Sequence, residues 1–430
     1  MRVPVRLRSG VALILLGSVA GQGVIVLASP LLTRLYEAAD FGALAVVTAL
    51  SAIGGAVVTL NWERAVVVPR SAWAARSLVW LALLSTVAVS GVFAVVAWAS
   101  REWAAATFDA PFLLRDWWLI PVTVAAIGLF KIYSSTLTRG RSYGRLGVRN
   151  AVQGWAQVVF NVVMGLVPGG GSLGLTLGTA VGRLAAVTGA GRRAAASGPG
   201  RASVPRGRMV AVAARRFRRL PLVSTWSSLL NVVGQQAPVL VLTAAYGVAE
   251  IGFVALTMRV LAAPVGIVAD ATAQYVEGTL GALIRGRARI RPVVSRTELL
   301  LALVVVLPLV AVVVGGPAVF SVVFGEEWRT AGQYARIFAA TYALQLVVVP
   351  VSRVLLLIDR TTVQLGWDLS RSVVVLGAVA AAVAVGASLT TAVVCLAAAQ
   401  SLMYVVLLVL IRTSVVRHDR ALPRVVPDAA

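Results

Sequence analysis

The sequence predicts an all-α polytopic membrane protein of about 12 transmembrane helices, on three observations. Apolar stretches of about 20 residues, enough to cross a bilayer, recur along the whole 430-residue chain. The chain is 59% hydrophobic and 13% charged, with a mean hydropathy of +0.90, more apolar surface than a soluble core absorbs. Arginine gathers in every second connection, as it does in the cytoplasmic loops of membrane proteins. The apolar runs are continuous rather than alternating, which argues against a membrane β-barrel.

The predicted spans are 10–32, 41–60, 78–99, 117–137, 148–167, 173–190, 220–244, 251–275, 297–315, 336–358, 366–386 and 389–411. The first follows Arg2, Arg6 and Arg8 and resembles a signal peptide, with small residues at Ser18 and Ala20. Its apolar run continues to Leu32, longer than a typical signal core, so it is read as an uncleaved span. Arg64, Arg70 and Arg76 separate spans two and three. Arg139, Arg141, Arg145 and Arg149 separate spans four and five. The segment 191–219 is basic, carries Gly198-Pro199-Gly200 and Pro205, and lacks a long apolar run. Arg285, Arg287, Arg289, Arg291 and Arg296 precede span nine, Arg353 and Arg360 precede span eleven, and Arg412, Arg417, Arg420 and Arg424 follow span twelve. With the N-terminus cytoplasmic, thirty arginines fall on the cytoplasmic side. The opposite side holds five: Arg34, Arg101, Arg115, Arg329 and Arg336. Both termini are therefore expected in the cytoplasm.

These boundaries divide the chain into a six-helix lobe (1–190), a basic cytoplasmic linker (191–219), a second six-helix lobe (220–411) and a cytoplasmic tail (412–430). A shift of 210 residues aligns Leu32–Ala45 with Leu242–Ala255 without a gap, with Thr33, Tyr36 and Gly42 facing Thr243, Tyr246 and Gly252. The match joins equivalent spans, so the lobes read as a parallel repeat, an arrangement known in transporters with a cavity between the halves.

The net charge of +23 would suggest nucleic acid in a soluble protein. Here most of it is the orientation signal, and no nucleic-acid partner is expected. Cys395 and His418 are the only residues of their kind. A disulfide within the chain, a zinc centre and histidine catalysis are set aside, and no cofactor is expected. The acids Glu102, Asp109, Asp116, Glu326 and Glu327 fall on the outer side and are read as solvated charges.

A charge at the bilayer centre costs about 2.5–3.5 kcal/mol on insertion scales, so such residues generally face a cavity or a partner. Lys131, Arg183, Arg259, Asp270, Asp368 and Arg371 fall inside spans; Arg34 and Glu277 lie near span ends, where snorkelling competes. Polar stripes at helical spacing accompany them. Asn150, Gln153, Gln157 and Asn161 run along span five; Lys131, Ser134, Ser135 and Thr138 along span four; Thr176, Thr179 and Arg183 along span six. Asn231, Gln235 and Gln236 mark span seven. Helix–helix hydrogen bonding would explain any single stripe; together they point to a wet cavity. Pro30, Pro121, Pro238, Pro264, Pro308 and Pro350 interrupt spans and permit kinks.

Several stretches resemble the Wzx-type oligosaccharide flippases of the multidrug/oligosaccharidyl-lipid/polysaccharide superfamily. They are Pro30–Tyr36 with Asp40-Phe41-Gly42, Glu63–Pro69, Phe217-Arg218-Arg219-Leu220-Pro221, Gln235-Gln236, Arg259 with Pro264, and Phe324–Trp328 with Ala331-Gly332. The resemblance implies a two-lobed bundle with a cationic cavity. It also implies movement of polyprenyl-pyrophosphate-linked oligosaccharide from the inner to the outer leaflet of the bacterial cytoplasmic membrane. Lys131 and Arg183 match no motif and rest on the physical argument alone.

On that reading Arg34, Lys131, Arg183, Arg259 and Arg371 are candidates to hold the pyrophosphate. Gln153, Gln157, Asn161, Asn231 and Gln235 would solvate sugars, and Asp270 and Asp368 would couple an ion. Membrane lipids are partners, with a polysaccharide polymerase or glycosyltransferase a further candidate. The alternative is an ion-coupled small-molecule exporter. Cationic drugs call for cavity carboxylates, and span one has none between Gly10 and Leu32. A polymerase, ligase or scaffold is disfavoured by the short outer segments near 100–116 and 316–335.

Overall fold

The computed structural model describes residues 5–195, 207–218 and 220–421. Among these, twelve helices have 20 residues or more. They are α1 (Val5–Leu27), α2 (Ala38–Val57), α3 (Ala72–Ala99), α4 (Leu119–Arg139), α5 (Tyr143–Gly165), α6 (Gly171–Ala195), α7 (Thr225–Tyr246), α8 (Val248–Arg285), α9 (Arg291–Phe324), α10 (Arg329–Ser352), α11 (Thr361–Ala384) and α12 (Leu389–Ala421). Shorter helices lie between them, and no strand occurs among the described residues.

Ten helical stretches are both long and apolar enough to cross a membrane. The sequence suggested about twelve, and α5 and α6 are the difference. At 23 and 25 residues they are long enough, but α5 carries Arg145, Arg149, Asn150, Gln153, Gln157 and Asn161, and α6 is rich in glycine and threonine. Their polar faces meet other helices: α5 packs on α1 and α6, and α6 also packs on α2 and α4, while Trp155, Val159 and Val163 leave one face of α5 exposed. By contrast α3 and α9 bury only 11% of their most apolar windows. Val87, Leu307, Val314 and Val322 on them are largely exposed, the surface expected to face acyl chains.

The chain falls into two compact units, Met1–Leu256 and Thr257–Ala430, so the border lies within α8. In the first unit the core gathers Val46, Leu113, Leu119 and Val124 around α2 and α4. In the second it gathers Leu280, Val348, Leu355, Trp367 and Ile411, and α12 packs against α10 and α11.

Among the close approaches that depend on glycine are two between helices within the first unit. In α1, a Cβ on Gly17 would overlap the backbone of Gly147 in α5, and one on Gly21 the carbonyl of Asn150. In α2, a Cβ on Gly42 would overlap the Val248 carbonyl, and one on Gly252 of α8 would overlap the Ala38 carbonyl. This second contact is crosswise: positions 38 and 42 meet 252 and 248, their counterparts at the 210-residue shift. A two-fold relation produces such a pairing, in which i meets j and j meets i. The helices pair in the same way along the chain. Each of α7–α12 starts 210 to 220 residues after its counterpart among α1–α6.

The ends of the elements follow local chemistry. Pro30 follows the break at Ala28 and opens the helix Ser29–Leu35. Its ring cannot continue α1, where it would meet a carbonyl one turn back. Glu37 and Asp40 form a reciprocal capping box on α2, with the Glu37 N–H donating to Asp40 Oδ2 at 3.1 Å. Pro121 falls in the first turn of α4, where a missing N–H has no consequence. Pro238, Pro264, Pro308, Pro317 and Pro350 do lie inside helices.

The basic linker contains a helix, Gly207–Phe217. Ala214 and Phe217 pack beside Trp62, Leu78 and Ile132, while Arg208, Arg215 and Arg216 are exposed. A five-residue π turn, Leu220–Ser224, then leads into α7. Arg2, Arg201, Arg206, Arg424 and the Gly198-Pro199-Gly200 sequence lie outside the described residues.

Candidate functional site

A cavity of about 540 Å³ opens within the first unit. Its walls come from α1, α2, α4, α5, α6 and α7. Ala52, Gly55 and Ala56 form the α2 wall, and Ile127 and Phe130 form an apolar strip on α4. Polar groups converge on the remaining sides: Gln22, Lys131, Gln153 and Arg183.

Lys131 Nζ donates to the Gly55 carbonyl at 2.6 Å. Gly55 lies in the last turn of α2, whose carbonyls have no partner within the helix. The lysine thus satisfies an orphan acceptor at the negative end of the helix dipole. An ammonium carries three donors, and this is its only hydrogen bond among the described residues. Arg183 is similar. Nη1 donates to the carbonyl of Thr179, one turn back, at 3.0 Å, while a guanidinium carries five donors.

No carboxylate lines the cavity among the described residues. Glu63 is buried in the turn helix Trp62–Ala65, but it forms no ion pair with Lys131 among the described ones. Glu63 acts on Lys131 electrostatically from outside the lining; two cations with spare donors and no carboxylate in the lining among the described residues still make a chamber suited to an anion.

Beside Phe130 lies a third cation. Arg149 is only 9% exposed, and its guanidinium sits over the Phe130 ring, 4.1 Å from the centroid. It donates to Asn150 Oδ1 and to Ser134 Oγ. Asn150 Nδ2 in turn donates to Ser18 Oγ at 2.8 Å, and both Asn150 and Ser18 line the cavity. The sequence grouped Arg149 with the loop arginines of 139–149. Because α5 starts at Tyr143, Arg149 lies almost two turns inside the helix. The signal was present: Arg149, Gln153, Gln157 and Asn161 recur every four residues on one face.

Residues 31–333 match the family model described as polysaccharide biosynthesis protein. The chain belongs to this family. Its fold is that of the MATE and MurJ transporters. A multidrug resistance MATE family transporter of the MOP superfamily, inward-facing, is similar with a TM-score of 0.67 at 12% identity, over 98% of this chain and 97% of that one. The lipid II flippase MurJ, inward closed, gives 0.72 at 10% identity, over 96% and 90%. A MOP superfamily transporter from Pyrococcus furiosus, with a binding pocket described as of reverse polarity, gives 0.54 at 12% identity, over 95% and 96%. No curated protein sequence matches. Family and fold together place the protein among multi-pass membrane transporters rather than enzymes.

Lys131, Gln153 and Arg183 of this polysaccharide biosynthesis protein thus share one cavity, and all three fall within the matched stretch. The other candidate residues lie elsewhere. Asn161 is fully buried; with its amide turned to donate, it reaches the carbonyls of Gly174 (3.3 Å) and Gln157 (3.1 Å), tying α5 to α6. Gln157 is buried on the same face and does not line the cavity. Asn231 and Gln235 are exposed on α7 and bond each other, Gln235 Nε2 to Asn231 Oδ1, at 3.1 Å. Arg34 is exposed at the end of Ser29–Leu35.

The remaining candidates belong to the second unit. Both terminal nitrogens of Arg259 are buried and make no hydrogen bond among the described residues. Asp270 is exposed. Asp368 Oδ2 accepts from Gln364 Nε2 at 3.5 Å, and Arg371 lies over the Trp367 ring at 5.0 Å.

Proposed function

We propose that this protein flips polyprenyl-pyrophosphate-linked oligosaccharide from the inner to the outer leaflet of the bacterial cytoplasmic membrane. The observation that carries this reading is the cavity with Lys131 and Arg183 uncompensated by any lining carboxylate among the described residues. A pyrophosphate cannot cross hydrocarbon unaided. Spare ammonium and guanidinium donors would hold it by charge-assisted hydrogen bonds. Gln22 and Gln153, which line the cavity, would meet the first sugar, while the prenyl chain would stay in lipid. The likeness to a lipid II flippase supports a lipid-linked substrate.

Alternating access would come from two six-helix lobes, 1–190 and 220–411, rocking about each other with both termini cytoplasmic. The paired helix starts and the crosswise contact at Gly42 and Gly252 support that division. Arg259 would be a candidate anion contact of the second unit, since its two buried terminal nitrogens have no hydrogen-bond partner among the described residues. Asp270 and Asp368 would serve ion coupling, and polysaccharide polymerases or glycosyltransferases would be partners.

The test is translocation of fluorescent lipid-linked oligosaccharide in proteoliposomes. The double substitution Lys131→Gln, Arg183→Gln is expected to slow translocation by about two orders of magnitude, a loss of about 2.8 kcal/mol. Undiminished flipping by the folded double variant would overturn the role given to the two cations, and cation-dye export by the wild-type protein with no lipid flipping would overturn the reading in favour of a small-molecule exporter.

A further inference from the structure

The reading of the cavity as an anion chamber leaves Arg149 without a task. It does not line the cavity, yet it is buried, and it forms no ion pair among the described residues. A buried guanidinium is costly unless its donors are used. Here they are used in a directional way.

Arg149 Nε donates to Asn150 Oδ1 at 3.1 Å, and Nη2 donates to the same oxygen. Nη1 donates to Ser134 Oγ, whose own hydroxyl donates to the Phe130 carbonyl at 2.5 Å. The guanidinium is thereby fixed from α4 as well as from α5. With its oxygen held by two N–H groups, the Asn150 amide has one orientation. A flipped amide would point its NH₂ at the guanidinium, donor against donor. The NH₂ therefore faces Ser18 and donates to its oxygen at 2.8 Å. A hydroxyl that accepts keeps its own proton to give, and Ser18 lines the cavity.

We infer that Arg149 is a positioning residue that sets the polarity of an Arg149→Asn150→Ser18 hydrogen-bond chain, so that the chain ends as a donor facing the anion. The inference rests on the anion-chamber reading and deepens it. Each bond in such a chain polarises the next, so the positive charge of Arg149 reaches the cavity through two neutral side chains. The chain also joins α1 to α5, where their backbones already touch at Gly17 and Gly21. A charge alone, without the planar fork of the guanidinium, would not fix the amide.

Farnesyl pyrophosphate is the probe, titrated against the full chain in detergent by calorimetry. Arg149→Lys, Arg149→Gln, Asn150→Ala and Ser18→Ala are each expected to weaken binding by about tenfold, equivalent to about 1.4 kcal/mol. Members of one chain do not act independently. The doubles Arg149→Gln, Asn150→Ala and Ser18→Ala, Asn150→Ala are therefore expected to bind no worse than their weaker single. Wild-type affinity in Arg149→Lys would show that charge alone suffices and would overturn the chain, as would losses that add in the doubles. If Arg149→Gln does not fold, the Ser18/Asn150 cycle decides in the same way. Failure of the underlying reading looks different: the wild-type protein binds no farnesyl pyrophosphate, or Lys131→Gln and Arg183→Gln bind as tightly as wild type.

Discussion

Lys131 stands 12 residues after the start of α4, and Thr341 stands 12 residues after the start of α10. Arg183 and Ser401 occupy the same place in α6 and α12. Across the two halves of the chain, a pair of cations in one corresponds to a pair of hydroxyls in the other. The hydroxyls are spent on each other. Thr341 and Ser401 share a hydrogen bond of 2.8 Å, and Thr341 also donates to the Ala397 carbonyl at 3.0 Å. Among the described residues the cations bond only backbone carbonyls, and they border a cavity. The same helical positions thus close a neutral seam in one half and hold an open charged chamber in the other.

Other charges in the second unit follow the neutral pattern. Glu298, 4% exposed, accepts from Arg412 at 2.9 and 3.0 Å, and Glu277 pairs with Arg353 at 3.2 Å. Asp419 receives the backbone N–H groups of Ile290 and Arg291 at 3.0 and 3.1 Å, closing the start of α9. These carboxylates are thus met where they arise, although Arg259 of the same unit keeps two buried terminal nitrogens without a hydrogen-bond partner among the described residues. In the first unit Lys131 and Arg183 border a cavity with no carboxylate in its lining among the described residues.

The most severe way to break this contrast is to move the cation. Thr341→Lys would place an ammonium at a site 1% exposed and filled by two hydrogen bonds. Burying an unpaired charge there is expected to cost about 3–5 kcal/mol. Thr341→Val, which only removes the bonds, is expected to cost about 1–2 kcal/mol. Thermal unfolding in detergent reads both. A well-folded Thr341→Lys protein with a second farnesyl pyrophosphate site would erase the difference between the halves.

A smaller effect separates charges that hold the fold from charges that serve the cavity. Arg412→Met leaves the buried Glu298 carboxylate without its partner and is expected to lower stability by about 2–3 kcal/mol. Glu298→Gln in that background should recover most of the loss. Pyrophosphate affinity of the folded protein should not move in either variant. A change in affinity alongside the loss of stability would mean that the pair also acts on the chamber.

The helices and the cationic side of this contrast are legible in the sequence; the Thr341–Ser401 seam is not. Continuous apolar runs marked the helices, because a span must be apolar wherever it meets lipid. Lys131 and Arg183 stood out as charges too deep for snorkelling. Arg149 did not, because an arginine ten residues beyond the end of α4, at the very start of predicted span five (148–167), looks like the basic edge of a loop. The start of α5 at Tyr143 places it well inside the helix. Asn161 and Gln157 share a stripe with Gln153, and periodicity gives a residue's face but not what stands opposite. For Gln153 that is the cavity; for Asn161 it is the backbone of α6. The shortfall in apolarity of α5 and α6 has the same origin. They surround polar space, so they were never selected to dissolve in lipid on all sides.

The contrast between halves has meaning only if the halves are copies, and the contact between α2 and α8 offers the gentlest test. Gly42 presses on the Val248 carbonyl and Gly252 on the Ala38 carbonyl. Adding one methyl at either place forces the same pair of backbones apart. Gly42→Ala and Gly252→Ala are therefore each expected to cost about 1–2 kcal/mol, the range for a crowded contact. If the two glycines are equivalent points about one two-fold axis, the costs should match. They should also fail to add, because the first methyl has already opened the gap that the second would need. Thermal unfolding of both singles and the double measures this. Unequal or additive losses would reduce the 210-residue correspondence to coincidence, and the opposition of Lys131 and Arg183 to Thr341 and Ser401 would then compare unrelated places.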